Sequence, residues 1–309
     1  MKRVFIDGSA GTTGLRIHER LAARGDIARL TLSEADRKIP EKRAEMLNAA
    51  DAAFLCLPDA AAVEAVSLLD NPDTIIFDTS TAHRTNPNWA YGFPELSDAH
   101  AAEIKVSRRI AVPGCHASGF VALVYPLVEA GLLPRDALLT CTSLTGYSGG
   151  GKKMIAEYED KSRDKLLDSP KEYALTQAHK HLPEMKAVSG LESAPIFLPI
   201  VADYLSGMQV TVPLFKSQLS GTAEDVRAVY RRKYAGPVVR FADWEDDIGF
   251  GNRSSGFDDM KIAVAGNAER ILLIANFDNL GKGASGAAVE CMNLAFGLKW
   301  TEGLTLEGE

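Results

Sequence analysis

"VFIDGSAGTTG", Val4–Gly14, is an apolar strand that runs into glycines at 8, 11 and 14 and then into a helical pattern. Glycine at these places lets a backbone come close to a pyrophosphate. A helix opening among them supplies unpaired N–H donors and positive potential. The context matters more than the spacing. β-rich runs "ARLTL" (28–32), "AAFLCL" (52–57), "TIIFDTS" (74–80) and "IAVPG" (110–114) follow, with "PEKRAEMLNAA" and "DAAAVEAVSLLDN" as helical patterns among them. That alternation predicts a parallel, helix-covered sheet. A glycine loop at its first strand-to-helix turn is where a dinucleotide would sit. The alternative is a tight turn without ligand.

The pattern changes after residue 115. A helix-like run, "HASGFVALVYPLVEAGLL", is followed by the strand-like "LLTCTSL", "PIFLPIVA", "MQVTVPLF", "KIAVAG" and "RILLIANF", with fewer helices between them. This predicts a second domain with a mixed or antiparallel sheet and a boundary near 115–117. "GASGAAVECMNLAFGLKW", from residue 283, reads as a strong amphipathic helix. The expected class is therefore α/β: a Rossmann-type parallel sheet, then an α+β domain.

The chain has 309 residues, 46% hydrophobic and 24% charged, enough for two cores. A net charge of -7 without a basic block argues against nucleic acid. No apolar run approaches a membrane span, and the first strand begins too early for a signal peptide. Cys56, Cys115, Cys141 and Cys291 are far apart and lack C-x-x-C pairing. They predict no disulfide framework, no metal site and a reducing, cytoplasmic setting.

Several stretches carry possible chemistry. After the second strand, "TLSEADRK" offers Ser33 and Arg37 beside Lys38. A hydroxyl with cations there suits a 2′-phosphate, hence NADP over NAD, or else the stretch is a solvated charged loop. In "AVPGCHASGF" Cys115 follows a Pro-Gly turn and opens a helix, where a thiol is more readily ionised, or else it is a buried structural thiol at an element boundary. "HKHLPEM" sets His179 and His181 on one face of an extended segment, with Glu184 behind. One of the pair could assist a thiol, both could bind a metal, or the segment is a solvated loop. Arg84 in "DTSTAHRT" could hold an anion at the carboxyl edge of the sheet, or lie on the surface. Gly149–Gly151 in "TGYSGGGKK" form an anion loop or a flexible turn.

In order, "GSAGTTG", "DTSTAHR", "YGFPEL", "VPGCHASG", "GYSGGGKK", "HKHLPEM" and "NFDNLGKGASGAAVECMN" resemble the N-acetyl-gamma-glutamyl-phosphate reductases of the shorter-chain class, within the aspartate-semialdehyde dehydrogenase superfamily. The resemblance implies a cofactor domain, 1–115, completed by 284–309, and a catalytic and oligomerisation domain, 116–283. It implies NADP at Gly8, Ser9, Gly11, Thr12 and Gly14, with Asn279 near the nicotinamide. It makes Cys115 the nucleophile and His179 or His181 the acid/base. Arg84, Ser148, Gly149 and Glu184 become substrate contacts. It further implies an acyl-phosphate substrate and a homo-oligomer, with a tetramer favoured. His116 departs from the longer-chain class, which usually has an aromatic there, and "TAHR" replaces "ADFR".

The reaction so implied has three steps. The Cys115 thiolate displaces phosphate from N-acetyl-gamma-glutamyl phosphate, hydride reduces the thioester, and N-acetylglutamate 5-semialdehyde leaves. Two rivals remain. A sister reductase acting on aspartyl phosphate or an aminoadipyl analogue would share this chemistry. A non-catalytic NADP-binding sensor would have a dispensable Cys115.

Overall fold

The computed structural model describes residues 1–9, 11–243 and 248–308. Two compact units divide the chain: 1–94, 98–114 and 284–304 form the first, and 95–97, 115–283 and 305–309 the second.

The first unit begins with β1 (Lys2–Asp7), α1 (Thr12–Ala22), β2 (Ile27–Leu30), α2 (Pro40–Ala49), β3 (Ala52–Leu55), α3 (Asp59–Ser67) and β4 (Ile75–Asp78). It continues with β5 (Ala90–Tyr91), α4 (Asp98–Val106) and β6 (Arg109–Ala111). All six strands are parallel, in the order β2-β1-β3-β4-β6-β5. The order reverses at β1, so the glycine loop at its carboxyl end occupies the switch point where such sheets take ligands. The inner strands are buried on both faces: each residue of β3 and β4 is buried, as a doubly covered parallel sheet requires.

The second unit contains α5 (Cys115–Glu129), β7 (Thr140–Gly146), α6 (Gly151–Glu159), β8 (Lys171–Glu172), α7 (Leu182–Ser189), β9 (Ile196–Ala202) and β10 (Met208–Phe215). Then come α8 (Ala223–Lys233), β11 (Val239–Phe241), β12 (Met260–Gly266) and β13 (Arg270–Phe277). The sheet runs β11-β12-β13-β10-β7-β9-β8, parallel at β11·β12 and β7·β9 and antiparallel elsewhere, so it is mixed as expected. Period-two alternation decides its faces. Cys141, Ser143 and Thr145 of β7 point inward, and Thr140, Thr142 and Leu144 lie on the half-open side. α5 covers the inner face. Gly119 makes this possible, because a Cβ there would stand 2.5 Å from Val210 Cγ2 and 2.9 Å from Phe277.

The closing helix, α9 (Gly286–Ala295), follows a π-turn at Gly281–Ser285 and returns to the first unit. Ala287, Ala288, Val289, Cys291 and Met292 pack there with Val4, Phe54 and Phe77. Here the amphipathic reading fails: Gly286 through Leu294 are all buried, including Glu290 and Asn293. Polar positions that look solvated in the sequence are paired inside, with Asn293 Oδ1 accepting from Arg24 at 2.9 Å. The tail after 304 groups with the second unit, not the first as expected, and Asp258 and Thr305 bond reciprocally through Asp258 N–H to Thr305 O and Thr305 N–H to Asp258 Oδ2.

Candidate active site

The glycine loop lies in the first unit. Gly8 has φ +89°, and a Cβ on it would meet the Cys56 carbonyl oxygen at 2.3 Å, so no other residue fits. A Cβ on Gly14 would meet the Gly8 carbonyl oxygen at 2.4 Å, which seats α1 against the loop. Gly11 caps α1 without a side chain, leaving the first-turn N–H groups to an incoming anion. Thr12 Oγ1 is buried there without a hydrogen-bond partner. A cradle closed to any Cβ and an orphaned hydroxyl at a helix start fit a dinucleotide pyrophosphate.

A cavity of about 600 Å³ adjoins the loop, lined by Gly8, Ser9 and Gly11 and by Arg29, Arg37 and Lys38. Arg37 reaches it but is paired with Glu34 at 2.5 Å. Ser33 does not line it: its hydroxyl donates to Asp36 Oδ2 at 2.7 Å and closes the turn. His18 and Arg29 also face the cavity, 3.0 Å apart at Nε2 and Nη1, and the sequence reading overlooked both. They come from the middle of α1 and β2, so no local motif joins them. Arg84 is buried, with Nε donating to Val112 O at 2.9 Å and Nη2 to Thr79 O at 2.8 Å. These bonds tie the β4 and β6 ends of the sheet together.

The second unit gathers the thiol chemistry. Cys115 is the first residue of α5, at its positive end, and is partly buried. Gly283 lies against it, where a Cβ would fall 3.0 Å from that of Cys115. The neighbouring Lys282 holds this backbone in place: its side chain is 1% exposed, and its Nζ donates at 2.8 Å to each carboxylate oxygen of Glu95. A buried bidentate pair costs desolvation and pays back in position. Neither residue stood out singly, although both fall in the motifs "YGFPEL" and "NLGKGA".

His116 is buried, Nδ1 lying 2.7 Å from Ser143 Oγ and Nε2 2.8 Å from the Tyr173 hydroxyl. The rings of His179 and His181 stand 5.6 and 5.5 Å from it and 4.8 Å from each other. Desolvation holds His116 down at about 3 and lowers His179 as well, so both imidazoles are neutral near pH 7. The His181 backbone N–H donates to His179 Nδ1 at 3.2 Å, which puts the neutral ring's proton on Nε2. The three rings offer nitrogens within 4.8 Å of one another, a spacing a divalent metal could draw on. Both nitrogens of His116 are committed to Ser143 and Tyr173, however, so the geometry describes a hydrogen-bonded relay.

The segment carrying these histidines is strained. Ala174 and Gln177 have φ of 53° and 55°, left-handed for non-glycine residues. Gln177 offsets the cost by closing both ends of its amide on Phe197, donating to its O at 2.8 Å and accepting from its N at 2.9 Å. His179 and His181 are thereby aimed from β9. Glu184 is buried in the first turn of α7. Ser148 and Asn279, expected for substrate and cofactor, meet directly. Asn279 Nδ2 donates to Ser148 Oγ at 2.9 Å, and its Oδ1 accepts from Gly207 N at 2.9 Å. Gly149 adjoins them, with Asn279 Nδ2 3.7 Å from where its Cβ would lie. Tyr173, Ser143 and Gln177 were not anticipated.

Comparison with known proteins identifies the family and the two-domain fold. Residues 9–104 match the family described as semialdehyde dehydrogenase, NAD binding domain, and residues 115–279 the semialdehyde dehydrogenase, dimerisation domain. The N-acetyl-gamma-glutamyl-phosphate reductase of Burkholderia lata is 46% identical over 95% of this chain and 96% of its own. That of Brucella ovis is 45% identical over 96% and 99%. Among solved structures, aspartate semialdehyde dehydrogenase II of Vibrio cholerae superposes with a TM-score of 0.71 over 96% of this chain and 98% of its own, at 15% identity. The Candida albicans enzyme with NADP gives 0.67 at 17% identity over 95% and 98%, a likeness of fold.

Proposed function

The chain belongs to the N-acetyl-gamma-glutamyl-phosphate reductase family, and from that premise we propose how its residues divide the reaction. It is a nicotinamide-dependent oxidoreductase that converts N-acetyl-gamma-glutamyl phosphate to N-acetylglutamate 5-semialdehyde and phosphate, a step of arginine biosynthesis. The observation that carries the mechanism is Cys115 opening α5 with the imidazoles of His179 and His181 gathered about that of its neighbour, His116.

Cys115 Sγ, as thiolate, attacks the γ-acyl carbon, and the C–O bond to phosphate breaks with its electron pair leaving on phosphate. His179, protonated on Nε2 while its Nδ1 accepts a backbone N–H, donates to the acyl oxygen as charge develops there. His181 takes up the thiol proton and returns it when the sulfur departs. A nicotinamide dinucleotide held by the glycine loop would supply the hydride that this reduction requires. Ser148, fixed by Asn279, with Gly149 and Glu184, binds the acylamino acid portion. Arg84 orders the carboxyl edge of the parallel sheet. Together, proton transfers of this kind are worth about 10²–10⁴-fold.

The pyrophosphate falls to Gly8, Ser9, Gly11, Thr12 and Gly14. NADP is the preferred cofactor: Arg29, Arg37 and Lys38 line the cavity with positive charge against two acids, Glu34 and Asp7, the latter already paired with buried Arg43. A homo-oligomer, a tetramer by preference, would cover the outer side of the second sheet, where Ile196, Phe215 and Leu272 are exposed. Four free cysteines suit the cytoplasm.

The test follows NADP⁺ reduction at 340 nm with phosphate and N-acetylglutamate semialdehyde, beside aspartate semialdehyde and beside NAD⁺. Phosphate-dependent turnover with the acetylated substrate supports the reading. Turnover with aspartate semialdehyde alone would move the substrate assignment. Cys115→Ser should lose nearly all turnover while binding NADPH, and comparable turnover in that variant would refute the covalent route.

A further inference from the structure

We infer that Arg29, held in place by His18, is the residue that reads the adenosine 2′-phosphate, and that Ser33 and Arg37, where the sequence puts this recognition, do not. This rests on the cofactor being NADP.

Charge separates the candidates. Two acids line the cavity beside the glycine loop, Asp7 and Glu34. Each already has its own arginine: Asp7 accepts from Arg43 Nε at 2.9 Å, and Glu34 from Arg37 Nη2 at 2.5 Å. Arg37 is therefore offset before a ligand arrives. The Ser33 hydroxyl is used up in the same way, donating to Asp36 Oδ2 at 2.7 Å. The lining cations left over are Arg29 and Lys38, which among the described residues belong to no ion pair. A phosphate monoester carries about −1.5 to −2 charges near neutral pH, and two uncompensated cations match it.

Geometry then singles out Arg29. It stands opposite Val4 of β1 and shares its face of β2 with Ile27. Ile27 belongs to the core formed with Ile17 and Leu21 of α1. The Arg29 side chain is thus on the α1 side of the sheet, where His18 follows Ile17. Its Nη1 lies 3.0 Å from His18 Nε2 and 3.4 Å from Nδ1. A guanidinium has donors only, so the nearer imidazole nitrogen accepts. An accepting imidazole orients the guanidinium without cancelling its charge, as a carboxylate would. The other N–H groups of the fork remain for an anion in the cavity that both residues line. Lys38 is exposed on a short turn, where an ammonium lends charge without direction. His18 is accordingly a positioning residue, and Arg29 the one that meets the ligand.

The test titrates NADPH and NADH into the full chain by the fluorescence of the reduced nicotinamide. Arg29→Ala should weaken NADPH about 10- to 100-fold, as loss of a charged bidentate contact implies, and leave NADH within about twofold. Arg29→Lys keeps the charge without the fork and should weaken NADPH about three- to tenfold. His18→Leu removes the acceptor and should weaken it about two- to fivefold, NADH again unmoved. Ser33→Ala should leave both affinities in place, and Arg37→Ala should cost NADPH less than about threefold. Near-UV circular dichroism reports folding. An NADPH affinity that a folded Arg29→Ala leaves in place overturns the inference, and so does a larger loss in Arg37→Ala. Equal losses of NADPH and NADH in Arg29→Ala would make the residue structural and overturn it as well. If Arg29→Ala does not fold, Arg29→Lys decides on the same terms. A wild type that binds NADH as tightly as NADPH would remove the cofactor reading itself, and would show this before any variant is made.

Discussion

Replacing His116 by Gln should flatten the acid side of this protein's stability profile. In the unfolded chain the imidazole binds a proton at about 6.5. In the folded chain burial delays this to about 3, with the positive side of His179 and Lys180 adding to the effect. The folded-state value is depressed, so the unfolded chain holds more protons throughout the interval. Stability is therefore lost as pH falls below the unfolded value, and the loss continues to the folded one. At about pH 4.5, roughly two units into the window, the loss from this residue is about 2–3 kcal/mol at about 1.4 kcal/mol per unit. Gln keeps an amide acceptor and donor but does not titrate. The assay is urea unfolding by circular dichroism at pH 7 and 4.5 for both proteins. His179 and the carboxylates are common to the two and cancel in the double difference. The wild type should lose about 2–3 kcal/mol more than the variant between the two pH values. Equal losses would mean that His116 is protonated in the folded state, and the neutral relay argued from Ser143 and Tyr173 would fall with it.

Two further predictions concern the cofactor loop. Gly8→Ala sets a Cβ against the Cys56 carbonyl in a left-handed backbone, so NADPH binding by fluorescence titration should be lost or weakened at least about tenfold, with a drop in melting temperature. Unchanged affinity would refute the cradle. Thr12→Val removes the orphaned hydroxyl without changing shape, so NADPH affinity should fall about three- to tenfold while thermal stability without cofactor holds or rises; a fall in that stability would show that the hydroxyl serves the fold.

The parts of the site that were legible in the sequence are those where one short segment does the work. Gly8, Gly11 and Gly14 are set by a single strand-to-helix turn, and Cys115 by a single Pro-Gly turn. His179 and His181 are two residues apart and need only a loop to bring them together. What escaped comes from register and long-range pairing. His18 and Arg29 meet because α1 lies over β2. Lys282 and Glu95 are 187 residues apart. Ser33 looked like a phosphate ligand because its type and position were right, yet Asp36, three residues on, captured its hydroxyl. One miss had a readable signal: Thr222 and Asp225 form a capping box that starts α8.

A single strand shows how little slack the second unit leaves. β7 is paired on both sides, Ser143 standing opposite Val210 on one neighbour and Pro199 on the other. Its odd positions face α5 and its even positions the open side. Slipping β7 by one residue would turn Ser143 outward and bring a leucine or threonine to His116. Leu144 offers no hydroxyl, so Nδ1 would lose its hydrogen-bond partner. Thr142 would restore a hydroxyl but with a branched methyl, at a point where α5 already approaches closely enough to require Gly119. Serine is the residue that gives a donor without added bulk, and the alternation that keeps it inside is the same one that leaves Thr140 and Thr142 on the outer face. The hydrogen bond that holds His116 and the covering of that face are therefore set by one register.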